Sequence, residues 1–483
     1  MVVSENNFKS RLLAIVLSVV LIFGFIAPLN FVNADDTDYT FEMVSGASVR
    51  KVAPYGIKFS AKIGKDLYDS VDNFYFIIVP VAFINKYVTS TENVDYYAVL
   101  SSSPYDIAIV KAKSTLKDDG YYYASASIVD ILYKNLTRKF WSIAYYTDNS
   151  GVRHYADFTE GNNVRSIAQV ASSALNGSES FTEEQNNYLN DTVSNARLLQ
   201  LGYSENRADK TLHPEKYTVN FDLVSEDDKP KIVPTNAGVL TSDCTFSSSN
   251  NSVATIDEEG IITEGNAGIA VITCVALGVS YEFNYVVTSS SNNIWSDVSG
   301  DGSYAKLTLK DGASIATDAV VYVPSFFGGK PVKSIKEYSL QNTSVSKIYF
   351  SDFIVEIEKY AFRSTTIAGA LILPENLTKL YYSAFNNCTQ ITSVVLPSKI
   401  EEIQGYAFTS VPIKNVVFPK SLQKINAFAF SKTSLEYAEF LSPTSWTATK
   451  NGTTVTLNLS NCSVNAQYLI NNDYYRSYNW EVT

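Results

Sequence analysis

His154 and His213 are the only imidazoles in a chain of 483 residues, and imidazole is the commonest general base near neutral pH. His154 lies in Val152-Arg-His-Tyr-Ala-Asp157, so a carboxylate stands close by in sequence. Such a pair does acyl-transfer chemistry only beside a nucleophile, and no Gly-x-Ser-x-Gly turn is present. A structural strand histidine is the expectation, and His213 sits in a polar joining segment that suggests no role. The carboxylate pairs Asp227-Asp228, Glu258-Glu259 and Glu401-Glu402 read as solvated turns. The two acids of a glycosidase can lie far apart in sequence, so an enzyme housed in residues 38–215 stays as an alternative. Asp297-Val-Ser299-Gly-Asp301-Gly302 supplies half of a calcium loop, but the twelfth position is Thr308 rather than an acid, which favours a plain turn. The four cysteines form no cluster with histidine. The expectation is no catalytic residue, no metal and no cofactor.

Recognition chemistry is better represented. The chain carries 33 Tyr and 26 Phe, as suits β-rich surfaces. Lys9 and Arg11 precede the apolar run Leu12–Ile26, and Val32-Asn33-Ala34 offers small residues for cleavage before Asp35. Residues 1–34 therefore read as a signal peptide, with an uncleaved anchor as the rival. The formal charge is -11 for the whole chain and becomes -12 without Glu5, Lys9 and Arg11. With no basic cluster, nucleic acid and anionic membranes are poor partners. No membrane insertion is expected after cleavage. The end of the chain carries no Leu-Pro-x-Thr-Gly motif, and no lipobox cysteine follows the signal segment. Free secretion is the default, or display on the extracellular surface.

The elements that would position these groups fall into blocks. Residues 38–215 read as an α+β domain of unknown role. Tyr55–Ile63 alternates, placing Ile57, Phe59, Ala61 and Ile63 on one face. Further strands are expected at Phe74–Ile84, Asp95–Leu100, Ile107–Ala112, Tyr121–Ile131 and Phe140–Tyr146, with a hairpin turn at Asp148–Gly151. Helices are expected at Asn163–Ala174 and from the Thr182/Gln185 capping box to Leu199. Tyr121-Tyr122-Tyr123 and Tyr145-Tyr146 are aromatic platforms for the alternative of a carbohydrate-binding protein acting through this domain.

Residues 303–440 repeat. Phe362, Phe385, Phe408 and Phe430 are 23, 23 and 22 apart, and Ile357, Leu380, Ile403 and Ile425 each stand five residues earlier. Apolar runs close on Pro374, Pro397 and Pro419, and a degenerate first unit has Leu340 in the phenylalanine slot. This period marks a leucine-rich solenoid with a parallel β-sheet. Inward positions follow i, i+3, i+5: Val345, Ile348 and Phe350; Ile391, Val394 and Leu396; Ile413, Val416 and Phe418; Leu435, Ala438 and Phe440. The second unit has one extra residue and is aligned from its proline, with Leu371 and Leu373 inward. Residues 441–483 read as a C-terminal cap, with strands around an Asn451-Gly452 turn and an aromatic tail through Tyr474, Tyr475, Tyr478 and Trp480.

The third unit, Ser383-Ala384-Phe385-Asn-Asn-Cys388-Thr-Gln-Ile391-Thr-Ser-Val394-Val-Leu396-Pro397, resembles BspA-type leucine-rich repeats. Residues 216–290 contain Phe246-Ser-Ser-Ser-Asn-Asn-Ser-Val253-Ala-Thr-Ile256-Asp, then Gly260-Ile-Ile-Thr and Gly268-Ile-Ala-Val-Ile. They resemble bacterial immunoglobulin-like domains of the invasin and intimin type, with Phe246 where Trp is more usual. That resemblance implies an all-β sandwich acting as a spacer. It puts Cys244 and Cys274 on adjoining strands, which leaves a disulfide open in an oxidising compartment. Cys388 fills the repeat's buried turn position. The whole reads as a multidomain protein: α+β domain, immunoglobulin-like sandwich, solenoid and cap. Similarity to BspA-type proteins implies adhesion to an extracellular protein or glycan of host or neighbouring cells.

Register then singles out a candidate binding face. Alternation turns Tyr349, Ile372, Val395, Val417 and Glu439 outward, with Lys347, Ala370, Ser393, Asn415 and Tyr437 beside them. β-propensity alone, or cover by a neighbouring domain, explains the apolar row equally well.

Overall fold

The computed structural model describes residues 38–89, 94–104, 107–159, 161, 163–289, 294–300, 302–442, 444–450, 453–457, 459–470 and 476–483. The signal segment, Asp301, the Asn451-Gly452 turn, Tyr474, Tyr475 and residues 290–293 lie outside them. Two compact units divide after Arg197. Most elements are strands, and among the described residues no helix is long and apolar enough to cross a membrane.

The first unit holds two five-stranded sheets. In one, Gly56–Ile63 pairs antiparallel with Tyr122–Val129, and Ile57, Phe59, Ala61 and Ile63 are all fully buried. In the other, Tyr75–Pro80 lies between Ala108–Lys111 and Phe140–Thr147. Two expected strands differ. Asp95–Leu100 is instead the helix Tyr96–Ser101, because the Asp95 carboxylate accepts from the Ala98 amide (3.1 Å) and caps it. Phe74–Ile84 stops at Pro80, and Val81–Tyr87 is helical. Proline ends the ladder there, while the continuing apolar run hides the break from a pattern search. The capping box forms as expected: Thr182 N donates to Gln185 Oε1 (2.9 Å) and Gln185 N to Thr182 Oγ1 (3.2 Å).

The second unit begins with a helix that periodicity did not announce, Glu205–Leu212, capped by Ser204. An all-β region follows. Phe221–Glu226 and Lys229–Pro234 form a hairpin whose turn residues, Asp227 and Asp228, both have positive φ. Thr245–Ser248, Gly268–Ala276 and Val279–Val287 form a three-stranded sheet, and Ala254–Ile256 pairs with Ile262–Glu264. These pack around one core that includes Phe221, Ile272, Cys274, Tyr281 and Phe283. Cys244 and Cys274 are free thiols. The register sets Cys274 opposite Phe246, and the Cys244 thiol donates to the Leu240 carbonyl (3.5 Å), so the two are not directly paired across the ladder.

The solenoid has two parallel ladders. One runs through Ala305–Leu309, Lys330–Ile335, Glu356–Ile357, Lys379–Leu380, Glu402–Ile403 and Lys424–Ile425. The other comprises Ala319–Tyr322, Val345–Tyr349, Gly369–Ile372, Ile391–Val395, Asn415–Phe418 and Tyr437–Phe440, paired two by two. A register shift at Gly369–Ala370 sets Leu371 and Ile372 against Val394 and Val395. Between the ladders, Phe362, Phe385, Phe408 and Phe430 are buried and stack at 5.0, 5.9 and 5.4 Å between ring centroids. At the far end Trp480–Val482 adds antiparallel to the last rung, Lys424–Ile425, and the buried Trp446 and Trp480 close the core.

Candidate binding surfaces of the solenoid

The outward row does not form a continuous stripe. Ile372 is 43% exposed and Tyr349 half-buried, whereas Val395 and Val417 are 0% and 1% exposed. The segment before the Glu205–Leu212 helix lies over this part of the sheet. A Cβ placed on Gly202 would stand 3.7 Å from the Val395 side chain and 3.6 Å from Ala370. Strand alternation does turn Val395 outward, but the chain itself covers what it turns. At the uncovered end, Tyr349 stacks on Tyr322 (5.2 Å), and the Lys347 ammonium lies 4.8 Å from the Tyr349 ring. Tyr437, at the other end of the neighbouring row, is half-buried.

A different surface carries a longer row. Tyr338, Tyr360, Tyr382, Tyr406 and Phe428 follow one another along a flank, with centroids 5.0, 5.5, 5.3 and 5.0 Å apart. None of the five is buried; Tyr338 is 48% and Tyr382 38% exposed. Four of them have left-handed backbone: φ is 60° at Tyr338, Tyr360 and Tyr406, and 64° at Phe428. Bulky side chains rarely occupy that region, where glycine or asparagine is the ordinary choice. In the third unit Ser383 takes the left-handed position (φ 54°), and its neighbour Tyr382 supplies the ring instead. The Tyr382 ring packs beside Gly405, where a Cβ would meet the Ala427 carbonyl at 2.9 Å and the ring at an ordinary 3.6 Å. The signal was present in the sequence as an aromatic two residues before Phe362, Phe408 and Phe430. The period of the buried phenylalanines masks it.

Beside this flank the short strands place Glu356, Lys379, Glu402 and Lys424 in one register. Lys379 pairs with Glu402 (2.6 Å) and Lys424 with Glu481 (2.5 Å). Tyr381 donates to Glu356 (2.9 Å), and burial, then that carboxylate, pushes its hydroxyl up to about 12. An open depression of about 450 Å³ lies between Tyr382, Tyr406 and Phe428 on one side and Glu402, Lys424 and Asn426 on the other. Rings next to a carboxylate, an ammonium and an amide suit a partner with both apolar faces and hydrogen-bonding groups.

The remaining candidates take structural places. His154 Nε2 meets Asp148 Oδ2 of the hairpin turn (2.7 Å), not Asp157, and its ring stacks on Tyr146 (4.9 Å). Hydrogen bonds from His154, then Ser150 and the Val152 amide, hold Asp148 well below the usual carboxylate range. His213 Nδ1 lies 3.4 Å from Glu215. Asp297 accepts from the Ser299 and Lys306 amides (2.9 and 3.0 Å) and pairs with Lys330 (2.8 Å), so its carboxylate serves the fold. Among the described residues no group of three His, Cys, Asp or Glu is placed to hold a metal. Cys388 is buried and donates to the Phe362 carbonyl (3.0 Å). Of the tyrosine platforms, Tyr145 is buried, Tyr122 stacks on Tyr68 (3.6 Å), and Lys62 and Lys117 lie over Tyr121 and Tyr123.

The repeat region also has relatives among known protein families. Among solved structures, a leucine-rich repeat protein from Bacteroides ovatus is 22% identical over 33% of this chain and 40% of its own, with a TM-score of 0.26. A leucine-rich cell surface protein from Faecalibacterium prausnitzii is 14% identical over 36% and 58%, at 0.20. A leucine-rich repeat protein from Eubacterium ventriosum is 18% identical over 30% and 52%, at 0.17. This chain thus spans only 40% to 58% of those proteins. No curated protein matches it. Residues 333–450 match the BspA type leucine-rich repeat region in six copies, the stretch in which the two ladders and the phenylalanine stack repeat.

Proposed function

We propose that this is a non-enzymatic, adhesin-like binding protein of the cell exterior, whose solenoid recognises a protein or glycan of host or neighbouring cells. The observation that carries this reading is the exposed aromatic flank from Tyr338 to Phe428. Left-handed backbone under a bulky side chain costs about 1–2 kcal/mol at each position, and a solenoid turn has no structural need for an exposed ring there. Strain of this kind is kept where the side chain has work at the surface. The all-β region fits an immunoglobulin-like spacer, and residues 1–34 fit a secretion signal.

The uncovered end of the outward row, with Tyr322, Lys347, Tyr349 and Ile372, is a second contact surface. It is favoured by the Tyr322–Tyr349 stack and the lysine over it. The test is binding of the full chain to arrays of matrix proteins and glycans. Tyr360→Gly with Tyr406→Gly and Tyr382→Ser is expected to abolish the strongest signal while the unfolding curve survives. Binding that persists in that variant but is lost on replacing Tyr121, Tyr122 and Tyr123 moves recognition to the first unit.

A further inference from the structure

A cavity of about 330 Å³ lies inside the second unit, between the all-β region and the turns of the solenoid. Tyr217, Tyr281 and Phe283 wall one side; Asn376 and Lys399 stand among the polar groups of the other. Lys210, from the Glu205–Leu212 helix, lines it at 5% exposure. Among the described residues its ammonium makes no ion pair. It has one long hydrogen bond, to the Glu282 carbonyl at 3.5 Å, and otherwise faces the rings of Phe283, Tyr217 and Tyr281 at 5.2, 5.6 and 6.0 Å. Among the described residues Lys399 donates only to the neutral Asn376 Oδ1 (2.9 Å). Burial holds its pKa below the ordinary lysine value, with the nearby charge of Lys210 and against the pull of Glu375 and Asp222.

The buried carboxylates nearby are committed elsewhere. Asp352 binds Arg207, the Glu375 amide and Asn284. Glu375 takes Arg207 (3.5 Å) and the Ser398 hydroxyl (2.5 Å). Asp222 pairs with Lys333, and Glu401 at the cavity wall is solvent-exposed. Of the charged lining groups, Glu375 is committed to Arg207 and Ser398 and Glu401 faces solvent, so among the described residues neither Lys210 nor Lys399 has a carboxylate at ion-pair distance. An ammonium without a counter-charge in such surroundings is costly, and a single anion completes the set.

We propose that this cavity binds one acidic sugar residue, its carboxylate between Lys210 and Lys399 and its ring against the tyrosine and phenylalanine wall. The carboxylate gives both ammonium groups a direct ion-pair partner. Lining groups from Asn220, Asn376, Thr378 and Ser421 suit hydroxyls rather than a purely apolar body, and the volume matches a ligand of monosaccharide size. The site is separate from the aromatic flank and does not depend on its role.

The experiment is calorimetric titration of the full chain with glucuronate and N-acetylneuraminate, with glucose and benzoate as controls. One acid is expected to saturate at one per chain and to weaken in high salt. Lys399→Gln and Lys210→Met should each weaken it at least tenfold, while Tyr360→Ser leaves it unchanged. Lys399 is only partly buried, so its variant keeps the test valid should Lys210→Met misfold. Saturation by neither acid, equal binding of glucose or benzoate, or retention of affinity in both lysine variants overturns the assignment.

Discussion

The hydroxyl of Tyr203 satisfies both backbone groups of Leu396, donating to its carbonyl (3.2 Å) and accepting from its amide (3.1 Å). The residue that follows the ladder strand Ile391–Val395 is thereby stitched to a segment outside the repeats. Tyr203→Phe leaves that amide and carbonyl buried without this partner and is expected to cost about 1–3 kcal/mol. Urea unfolding measures it, and hydrogen exchange should show faster exchange at the Leu396 amide. Unchanged exchange there means the hydroxyl is dispensable.

Arg207 is locked between Asp352 and Glu375, all three with side chains at most 10% exposed. Arg207→Met strands two buried carboxylates and is expected to cost about 3–5 kcal/mol. Adding Asp352→Asn and Glu375→Gln should recover part of the loss, because the charges left unpaired are then gone. A triple variant no more stable than the single one argues against an electrostatic origin.

Phe385 lies fully buried between Phe362 and Phe408. Phe385→Ala is expected to cost about 3–5 kcal/mol through the cavity it opens. Thermal unfolding followed by circular dichroism gives the size of the loss. A cost below 1 kcal/mol, on the order of a surface change, contradicts the packing described here.

Acid should weaken the start of the solenoid through Asp297. Burial alone raises this carboxyl, but hydrogen bonds from Lys330, then Ser299 and Lys306, overcome it and hold the pKa at about 2, against 3.8 ordinarily. The folded value is the lower one. The stabilisation is therefore complete above about pH 4 and is lost as pH falls from there through about 2, to a total of about 2 kcal/mol. Comparing unfolding of the parent and Asp297→Asn from pH 5 to 2 checks this. The parent's advantage should shrink across that window.

Tyr360→Gly separates strain from recognition. Glycine removes the left-handed penalty of about 1–2 kcal/mol but forfeits ring contacts worth about 0.5–1.5 kcal/mol each. The two largely offset, and stability should change by less than about 2 kcal/mol. A large loss in a denaturant titration means that the flank is structural glue.

The period of the repeats, the inward positions and the phenylalanine slot are legible in the chain, because burial on every rung imposes the same residue type at the same spacing. Gly56–Ile63 is legible for the same reason, through alternation. The helix Tyr96–Ser101 is not, because its cap is a single Asp95 before an aromatic run that suits strand equally well. Alternation predicts Val395 and Val417 on the outward face, yet both are buried. That depends on where residues 198–203 run, which no local pattern encodes. The same holds for the cavity at Lys210 and Lys399, whose groups are 189 residues apart in sequence. Local periodicity determines which side chains face the core of a rung. Only the packing of distant segments decides which of the remaining faces meet solvent, and which buried charges are left without a partner.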